Sequence, residues 1–395
     1  MRIAHIATSS NGGAGIAALR ISRAQNEQGI DSVVYSGNTS GMFQKLNPGI
    51  QLSKSVNKSI LSKFITLTQK TLVQRDRKLV TPISLSTVRD LGQIIQNSDL
   101  IHIHASYNLL NLRDFFKFAD RKPVVVTLHD ERMFTGGCHY SMDCQEFKRA
   151  CSKCPQVRLP FRPLVRNQLH EANSLFELKG GFTFVSPSEW LKAKAQGSLV
   201  LQGKNIIHIY NPIPSTFAPQ ELKNYPQDDS IRIGFFAGDL SNPYKGLNTL
   251  LSALNLVIKH RSVNLLLFGK GKIINVDPKV KVIRSQFQGD ESAHNAYNMC
   301  DLVVVPSLAD NSPSVVSEAL MCGVPVVGSK IGGIPEVLNQ FGFPTFEVGN
   351  ARDLSEIIMN FDYKKDRTSI SKRAKTLFSF ERSALSHLSL YNQLI

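Results

Sequence analysis

The densest run of potential chemistry lies between Pro306 and Glu336, where carboxylates, small residues and glycines recur at short intervals. Asp310 and Glu318 have seven residues between them, and Pro313 stands where the first turn of a helix tolerates a missing N–H. A helix beginning there leaves Asp310 in the preceding loop and carries Glu318 two turns along. Its first N–H groups, at about Ser314, Val315 and Val316, have no partner within the helix. They lie at the positive end of its dipole, an arrangement suited to a diphosphate. A carboxylate such as Glu318 can accept two hydrogen bonds from a ribose diol. Upstream, Lys245-Gly246 precedes another helix, and the lysine can meet negative charge developing on a leaving group. The alternative reading of Lys245 is a solvated loop residue.

The front half offers different groups. Asn11-Gly12-Gly13-Ala14-Gly15 follows an apolar run and precedes a helical one. Glycines there let an anion, a donor diphosphate or an acceptor phosphate, approach the backbone at a helix N-terminus. Ala14 and Ala18 break the G-x-G-x-x-G pattern, so a nicotinamide fingerprint is absent. His129, in Thr127-Leu128-His129-Asp130, falls at the carboxyl end of a strand pattern, where open α/β sheets bind ligands. An imidazole there can hydrogen-bond or exchange a proton near neutral pH. His102 and His104 also end a strand and are read as lining a cleft. Cys138, Cys144, Cys151 and Cys154 form a C-x5-C-x6-C-x2-C cluster. Its last pair has the spacing of a zinc half-site, and three states stay open: structural zinc, disulfides or free thiols. Cys300 and Cys322 read as small buried residues.

The elements that must hold these groups come from the apolar pattern. Strands are expected at 3–7, 32–35, 100–104, 124–129, 182–186 and 206–210, then at 231–237, 264–268, 280–284, 302–306, 325–328 and 345–348. These runs are short, rich in Val and Ile and mostly without alternation, as strands buried on both faces of a parallel sheet should be. Helical stretches between them imply βαβ units, and the two series imply two sheets. The boundary is placed at Tyr210-Asn211-Pro212-Ile213-Pro214, with a linker running on to about Pro226. The expected domains are 1–212, 213–379 and a terminal helix at 380–395, whose Ala384, Leu388 and Tyr391 fall on one face and could pack back across the junction.

The chain has 395 residues and a net charge of +15. The charge is uneven: 27 basic against 14 acidic residues in 1–219 leave +13, and 19 against 17 in 220–395 leave +2. Such a bias suits an anionic partner, whether nucleic acid, an anionic membrane or a phosphorylated acceptor, or simply a soluble surface. Residues 52–78 read as a basic amphipathic helix with Val56, Ile60, Phe64 and Leu67 on one face, suited to peripheral contact with an anionic membrane or to packing on the core. No leader pattern or membrane-spanning run is seen, so a cytoplasmic protein is expected, at most peripheral at the inner face of the membrane.

Together these motifs resemble the large retaining glycosyltransferase family that includes sucrose synthase and glycogen synthase (glycosyl transferases group 1). The likeness is strongest to colanic-acid, exopolysaccharide and lipopolysaccharide transferases, through Thr127–Tyr140 and the cysteines ending at Cys154-Pro155. It implies a GT-B fold of two facing Rossmann-like domains with a C-terminal return helix. It implies UDP- or GDP-sugar as donor substrate, a saccharide or lipid-linked acceptor, and no cofactor or metal for catalysis. Asp310 and Glu318 match the family's acidic pair, with Asp for the more usual Glu and Asn311 for a common glycine. Lys245 matches its lysine, Asp239 stands at the place of its arginine, and Arg284 or Lys270 are candidates to replace that charge. Gly12 and Gly13 match its N-terminal loop, and His129 matches its sugar-contacting histidine. Arg284 is also assigned toward the base, beside Ser314, Val315 and Glu318 at the donor. Two rival readings are a nucleotide-sugar 2-epimerase on the same fold and a non-catalytic nucleic-acid-binding protein. The latter lacks the interleaved basic and aromatic residues it would need, so no nucleic-acid partner is expected.

Overall fold

The computed structural model describes residues 1–9, 12–37, 50–52, 55–56, 80, 87–88, 90–105, 112, 115, 117, 119, 122–178, 181–220, 229–272, 276–286 and 288–395. The chain divides into two units, Met1–Pro212 with Ser383–Ile395, and Ile213–Arg382.

The first unit is built on a seven-stranded parallel sheet in the order β3-β2-β1-β6-β7-β8-β9. The strands are β1 (Arg2–Ala7), β2 (Asp31–Ser36), β3 (Ile50–Leu52), β6 (Leu100–Ile103), β7 (Val124–Thr127), β8 (Phe182–Ser186) and β9 (Ile206–His208). A separate antiparallel pair joins β4 (Ser55–Val56) to β5 (Thr87–Val88). β6 and β7 are buried at every position, because helices cover both faces of a parallel sheet. The order turns at β1: the chain builds outward to β2 and β3, then returns to the other side of β1 with β6. Ligands of open α/β sheets bind beyond the strand ends at such a reversal.

The second unit repeats this plan with six parallel strands in the order β12-β11-β10-β13-β14-β15. They are β10 (Ile231–Asp239), β11 (Val263–Lys270), β12 (Lys281–Ser285), β13 (Leu302–Val305), β14 (Val326–Ser329) and β15 (Thr345–Phe346). Here the reversal lies between β10 and β13, which places the loops after those two strands side by side.

Two sequence expectations need adjustment. Residues 57–78 of the expected basic helix lie outside the described residues, and at its start Leu52 and Ser55–Val56 are in strands. The expected linker does not begin as one, because Ile213 and Phe217 are buried and the Ile213 N–H donates to the Phe378 carbonyl at 2.8 Å. Two apolar side chains in a proline-rich stretch were enough to draw it onto the second unit. The terminal helix, Phe380–Asn392, crosses the division, and from Ser383 it belongs to the first unit. Leu390 and Tyr391 are buried there with Ile3, Leu100 and Val125, and Leu388 packs against them. Burying a side chain of Leu390's size contributes about 1.5–3 kcal/mol. Among the described residues, no helix is long and apolar enough to cross a membrane.

Candidate active site

In the second unit two loops are tied to each other before any side chain acts. After β10 a short turn, Pro243–Lys245, is capped by Asn242, whose Oδ1 accepts from the Tyr244 N–H at 3.1 Å. The Leu308 N–H donates to the Tyr244 carbonyl at 2.8 Å, so the loop after β13 hangs on this turn. Gly246 closes it with φ +74°, and a Cβ there would lie 1.8 Å from the Pro306 carbonyl oxygen. Only glycine fits both the left-handed backbone and the contact. Gly332 plays the same part below, where a Cβ would meet the Asp310 carbonyl oxygen at 1.6 Å and the next N–H, of Gly333, donates to the Asn311 carbonyl.

This scaffold brings Lys245 and Asp310 together. The Lys245 Nζ donates to Asp310 Oδ2 at 2.6 Å, and Ser307 Oγ donates to the same oxygen at 3.2 Å. Asp310 is buried, whereas Lys245 keeps 30% of its side-chain surface exposed. The lysine is therefore a held cation with an open side rather than a solvated loop residue.

Glu318 is buried on the helix Ser314–Met321, and its Oε2 accepts from the Tyr297 hydroxyl at 2.7 Å. Tyr297 is itself fixed by stacking on Phe236, with ring centroids 4.0 Å apart. Pro313 caps the helix without a side-chain acceptor. Ser314 and Val315 stand at its N-terminus as expected of an anion-binding turn. Val316 does not offer its N–H, which turns back to the Pro313 carbonyl at 3.2 Å because the first turn tightens.

Arg284 lies away from this pair, on β12. Its Nη2 donates to the Gly271 carbonyl at 2.6 Å, and it lines a cavity of about 420 Å³ with Gly269, Gly271, Ser285 and Gln286. Asp239 Oδ1 accepts from Ser241 N–H and Oγ, at 2.9 and 2.6 Å, which hold its carboxyl below the usual range. Lys270 pairs in register with Asp239 on the neighbouring strand.

The first unit carries the remaining candidates. Gly12 begins the helix Gly13–Glu27 with no side-chain cap, and a Cβ on Gly12 or Gly13 would find open space. Among the described residues, no protein atom demands glycine there. His129, two residues beyond β7, is part-buried, and burial lowers its pKa to about 4 although the Asp130 carboxylate works against this. Its Nε2 lies 2.9 Å from His104 Nδ1. Asp130 bonds His139 Nδ1 at 2.5 Å, and Glu131, buried, takes Lys194 Nζ at 2.8 Å and the Ser141 N–H at 2.9 Å. Burial alone would raise the Asp130 pKa, but the His139 contact and the Arg132 N–H outweigh it and hold it low. These bonds fix the 127–140 loop that presents His129. His102 and His104 are buried in the sheet rather than lining an open cleft.

All six cysteines are free. The neighbouring Cys154 and burial push the Cys138 thiol up, the same neighbour favours the Cys154 thiolate, and burial lifts Cys151 to about 12. Among the described residues, the metal-ligating atoms that all lie within 4.8 Å of one another belong to His5, His102 and His104, not to the cysteines. No three of the four clustered sulfur atoms lie within that distance of one another.

Sequence reasoning missed Tyr297, His5 and Gln25, and gave Tyr391 only a packing role. A histidine in the middle of the apolar run 3–7 was the available signal, since a polar ring in a strand buried on both faces needs partners.

Residues 232–361 match the family of glycosyl transferases group 1. The Escherichia coli glycosyl transferase WcaC, named for colanic acid biosynthesis, is 26% identical over 321 residues, covering 75% of this chain and 76% of that protein. A lipopolysaccharide 1,2-N-acetylglucosaminetransferase of Salmonella typhimurium is 28% identical over 222 residues, 49% of this chain and 56% of its own length. Among solved structures, Anabaena HepE in complex with UDP and glucose superposes with a TM-score of 0.67 at 16% identity over the whole of both chains. The fold is thus α/β of the GT-B type, and the second unit carries a glycosyl transferases group 1 domain.

Proposed function

We propose that this chain, whose second unit carries a glycosyl transferases group 1 domain, is a retaining glycosyltransferase. It moves a sugar from a UDP- or GDP-sugar to a saccharide or lipid-linked saccharide in cell-surface polysaccharide synthesis. The observation that carries this reading is the Lys245–Asp310 pair at the sheet reversal of the second unit, with Glu318 held by Tyr297 on the adjoining helix. The relatives named for colanic acid and lipopolysaccharide support the acceptor class.

In this reading Glu318 accepts the ribose hydroxyls. Lys245 and the N–H groups at Ser314 and Val315 meet the diphosphate, whose charge grows as the bond from the anomeric carbon to oxygen breaks. Asp310 holds the lysine in place and contacts the transferred sugar. The acceptor hydroxyl bonds to the anomeric carbon on the face the diphosphate leaves, through an oxocarbenium-like state, and its proton passes to a diphosphate oxygen. No protein nucleophile and no catalytic metal enters this scheme.

Calorimetry with UDP, GDP, ADP and TDP on wild type and Glu318→Ala tests the donor site. Selective binding of one nucleotide, lost in the variant, is expected. A folded protein that binds none of the four sinks the assignment. The anomeric configuration of the product, read by NMR, decides retention.

A further inference from the structure

One stretch of the first unit exposes apolar side chains that the site does not use. From Arg158 the chain makes a short turn, Leu159–Phe161, and runs straight into the helix Arg162–Leu178. Leu159 is 73% exposed, more than any other large hydrophobic side chain among the described residues, and Leu164 is 38% exposed. Pro160 and Pro163 are exposed between them. A single exposed leucine needs no explanation. Two leucines and two prolines within six residues make a patch, and exposed apolar patches mark contact surfaces.

The tip is built rather than frayed. Phe161 packs against the core of the unit, and Val165, Leu169 and Phe176 bury the inner face of the helix in that core. Val165 sits so close to Gly136 that a Cβ there would lie 2.3 Å from Val165 Cγ1. The Phe161 N–H donates to the Arg158 carbonyl at 3.0 Å, and Pro160 and Pro163 each fix a backbone φ. Leu159 and Leu164 are thus exposed on a stiff support, which lowers the entropy lost when a partner covers them.

The charge around the tip says what that partner is. Between Glu146 and Glu171 the chain has six basic residues, Lys148, Arg149, Lys153, Arg158, Arg162 and Arg166, and no acidic one. All but Arg162 are exposed. The first turn of the helix carries no acidic residue, although the dipole favours one there. Arg162 opens the helix and Arg166 follows one turn on, so dipole and side chains add to one positive potential. Leucines flanked by arginines fit a bilayer surface, whose acyl boundary takes the leucines and whose headgroups carry phosphate. A nucleic acid would meet the arginines but offers the leucines nothing to enter.

We propose that residues 158–166 are a docking surface for an anionic phospholipid bilayer, with Leu159, Pro160 and Leu164 entering the interface and Arg158, Arg162 and Arg166 on the lipid phosphates. Such a surface holds the chain at a membrane whatever reaction it catalyses, so it stands apart from the transferase reading.

Flotation of the full chain with vesicles of phosphatidylcholine, alone or mixed with phosphatidylglycerol, tests the surface without nucleotide or sugar. Wild type should float with the mixed vesicles and not with phosphatidylcholine alone, and added salt should weaken the binding. Each basic residue near an anionic surface strengthens binding by about fivefold, so Arg158→Gln with Arg166→Gln should weaken it by roughly twentyfold. Leu159→Ser with Leu164→Ser should weaken it by about tenfold and leave the salt dependence in place. Both pairs change exposed side chains, and an unchanged urea melt shows that the fold is kept. A folded wild type that floats with neither vesicle overturns the proposal. So does binding that survives either pair: survival in the leucine pair marks a contact with any polyanion, and survival in the arginine pair marks another surface of the chain. Self-association of wild type without vesicles, lost in the leucine pair and read by ultracentrifugation, overturns it as well, because a second copy then covers the tip.

Discussion

The two units share one plan, a parallel sheet with a reversal of strand order, and put polar groups at the same place in it. They solve the electrostatics in opposite ways. In the second unit the groups are charged, joined across two loops, and partly open to solvent, as Lys245 on Asp310. In the first they are uncharged imidazoles threaded through the sheet and sealed by the terminal helix. A charge can be kept where it is paired and one side is wet. A ring at the centre of a sheet is kept only when neutral and bonded at both nitrogens.

The largest expected effect separates the units by pH. The pKa of each of His5, His102, His104, His129 and His387 is lowered in the folded chain, chiefly by burial. A histidine whose folded pKa is depressed leaves stability untouched above its unfolded value and lowers it below. Above about 6.5 both states are neutral; as pH falls below that, the unfolded chain takes up protons that the folded one refuses. Stability therefore falls as pH drops from about 6.5 towards the lowered folded values, about 3 for His5 and about 4 for His129 and His387, by about 1.4 kcal/mol per pH unit for each of these. Against the roughly 5–15 kcal/mol of an ordinary domain this is a large loss. The single tryptophan, Trp190, lies in the first unit, so urea melts followed by its fluorescence read that unit. The midpoint should drop steeply between pH 6.5 and 4.5; a flat midpoint would remove the contrast.

Next comes the charged pair. Lys245→Met should lower transfer by about a hundred- to a thousandfold, roughly 2.7–4 kcal/mol, the size of losing one preorganised partner of a developing anion. Steady-state rates on a chain with an unchanged melt would show it. Asp310→Asn should weaken transfer less, because the lysine remains but is no longer held.

Two glycines give a smaller and sharper contrast. Gly246→Ala must strain a left-handed backbone and push on the Pro306 carbonyl, so a loss of about 1–3 kcal/mol in unfolding free energy is expected. Gly12→Ala meets no atom of the described residues within 4 Å at an ordinary φ of −100°, and its melt should stay close to wild type. Equal losses at both positions would mean that the Gly12 loop is as tightly built as the Gly246 loop.

What the sequence disclosed follows the same division. The second unit's groups were legible because they lie close together in the chain: Asp310, Pro313 and Glu318 share one loop and helix, and Lys245 announces itself before a glycine. The fold was legible too, since buried parallel strands leave unbroken Val and Ile runs such as 302–305 and 124–127. The histidine network of the first unit was not, because Gln25, His104 and Tyr391 come from distant segments and meet only through the register of β1 with β6 and the return of the terminal helix. Spacing along a chain cannot report a contact between residues 25 and 391. Tyr297 was hidden for a related reason, since it sits in an ordinary-looking amphipathic helix, Asp290–Asn298, and touches Glu318 from outside its motif.

Tyr297 gives the smallest prediction and tests whether the second unit relies on neutral support as well. Its hydroxyl reaches Glu318 Oε2 at 2.7 Å while its ring stacks on Phe236, so Tyr297→Phe removes the hydrogen bond and keeps the packing. A hydrogen bond to a charged group contributes about 1.5–3 kcal/mol when both partners are buried, and less where another donor can take its place. The helix Ser314–Met321 also orients Glu318, so the lower end applies. Nucleotide affinity in calorimetry should fall by about tenfold, with the melt little changed. An unchanged affinity would mean that the helix Ser314–Met321 alone orients Glu318. The comparison would then stand in its strongest form, with orientation by uncharged partners confined to the first unit. A loss as large as that of Glu318→Ala would instead make Tyr297 a partner in the site equal to the carboxylate.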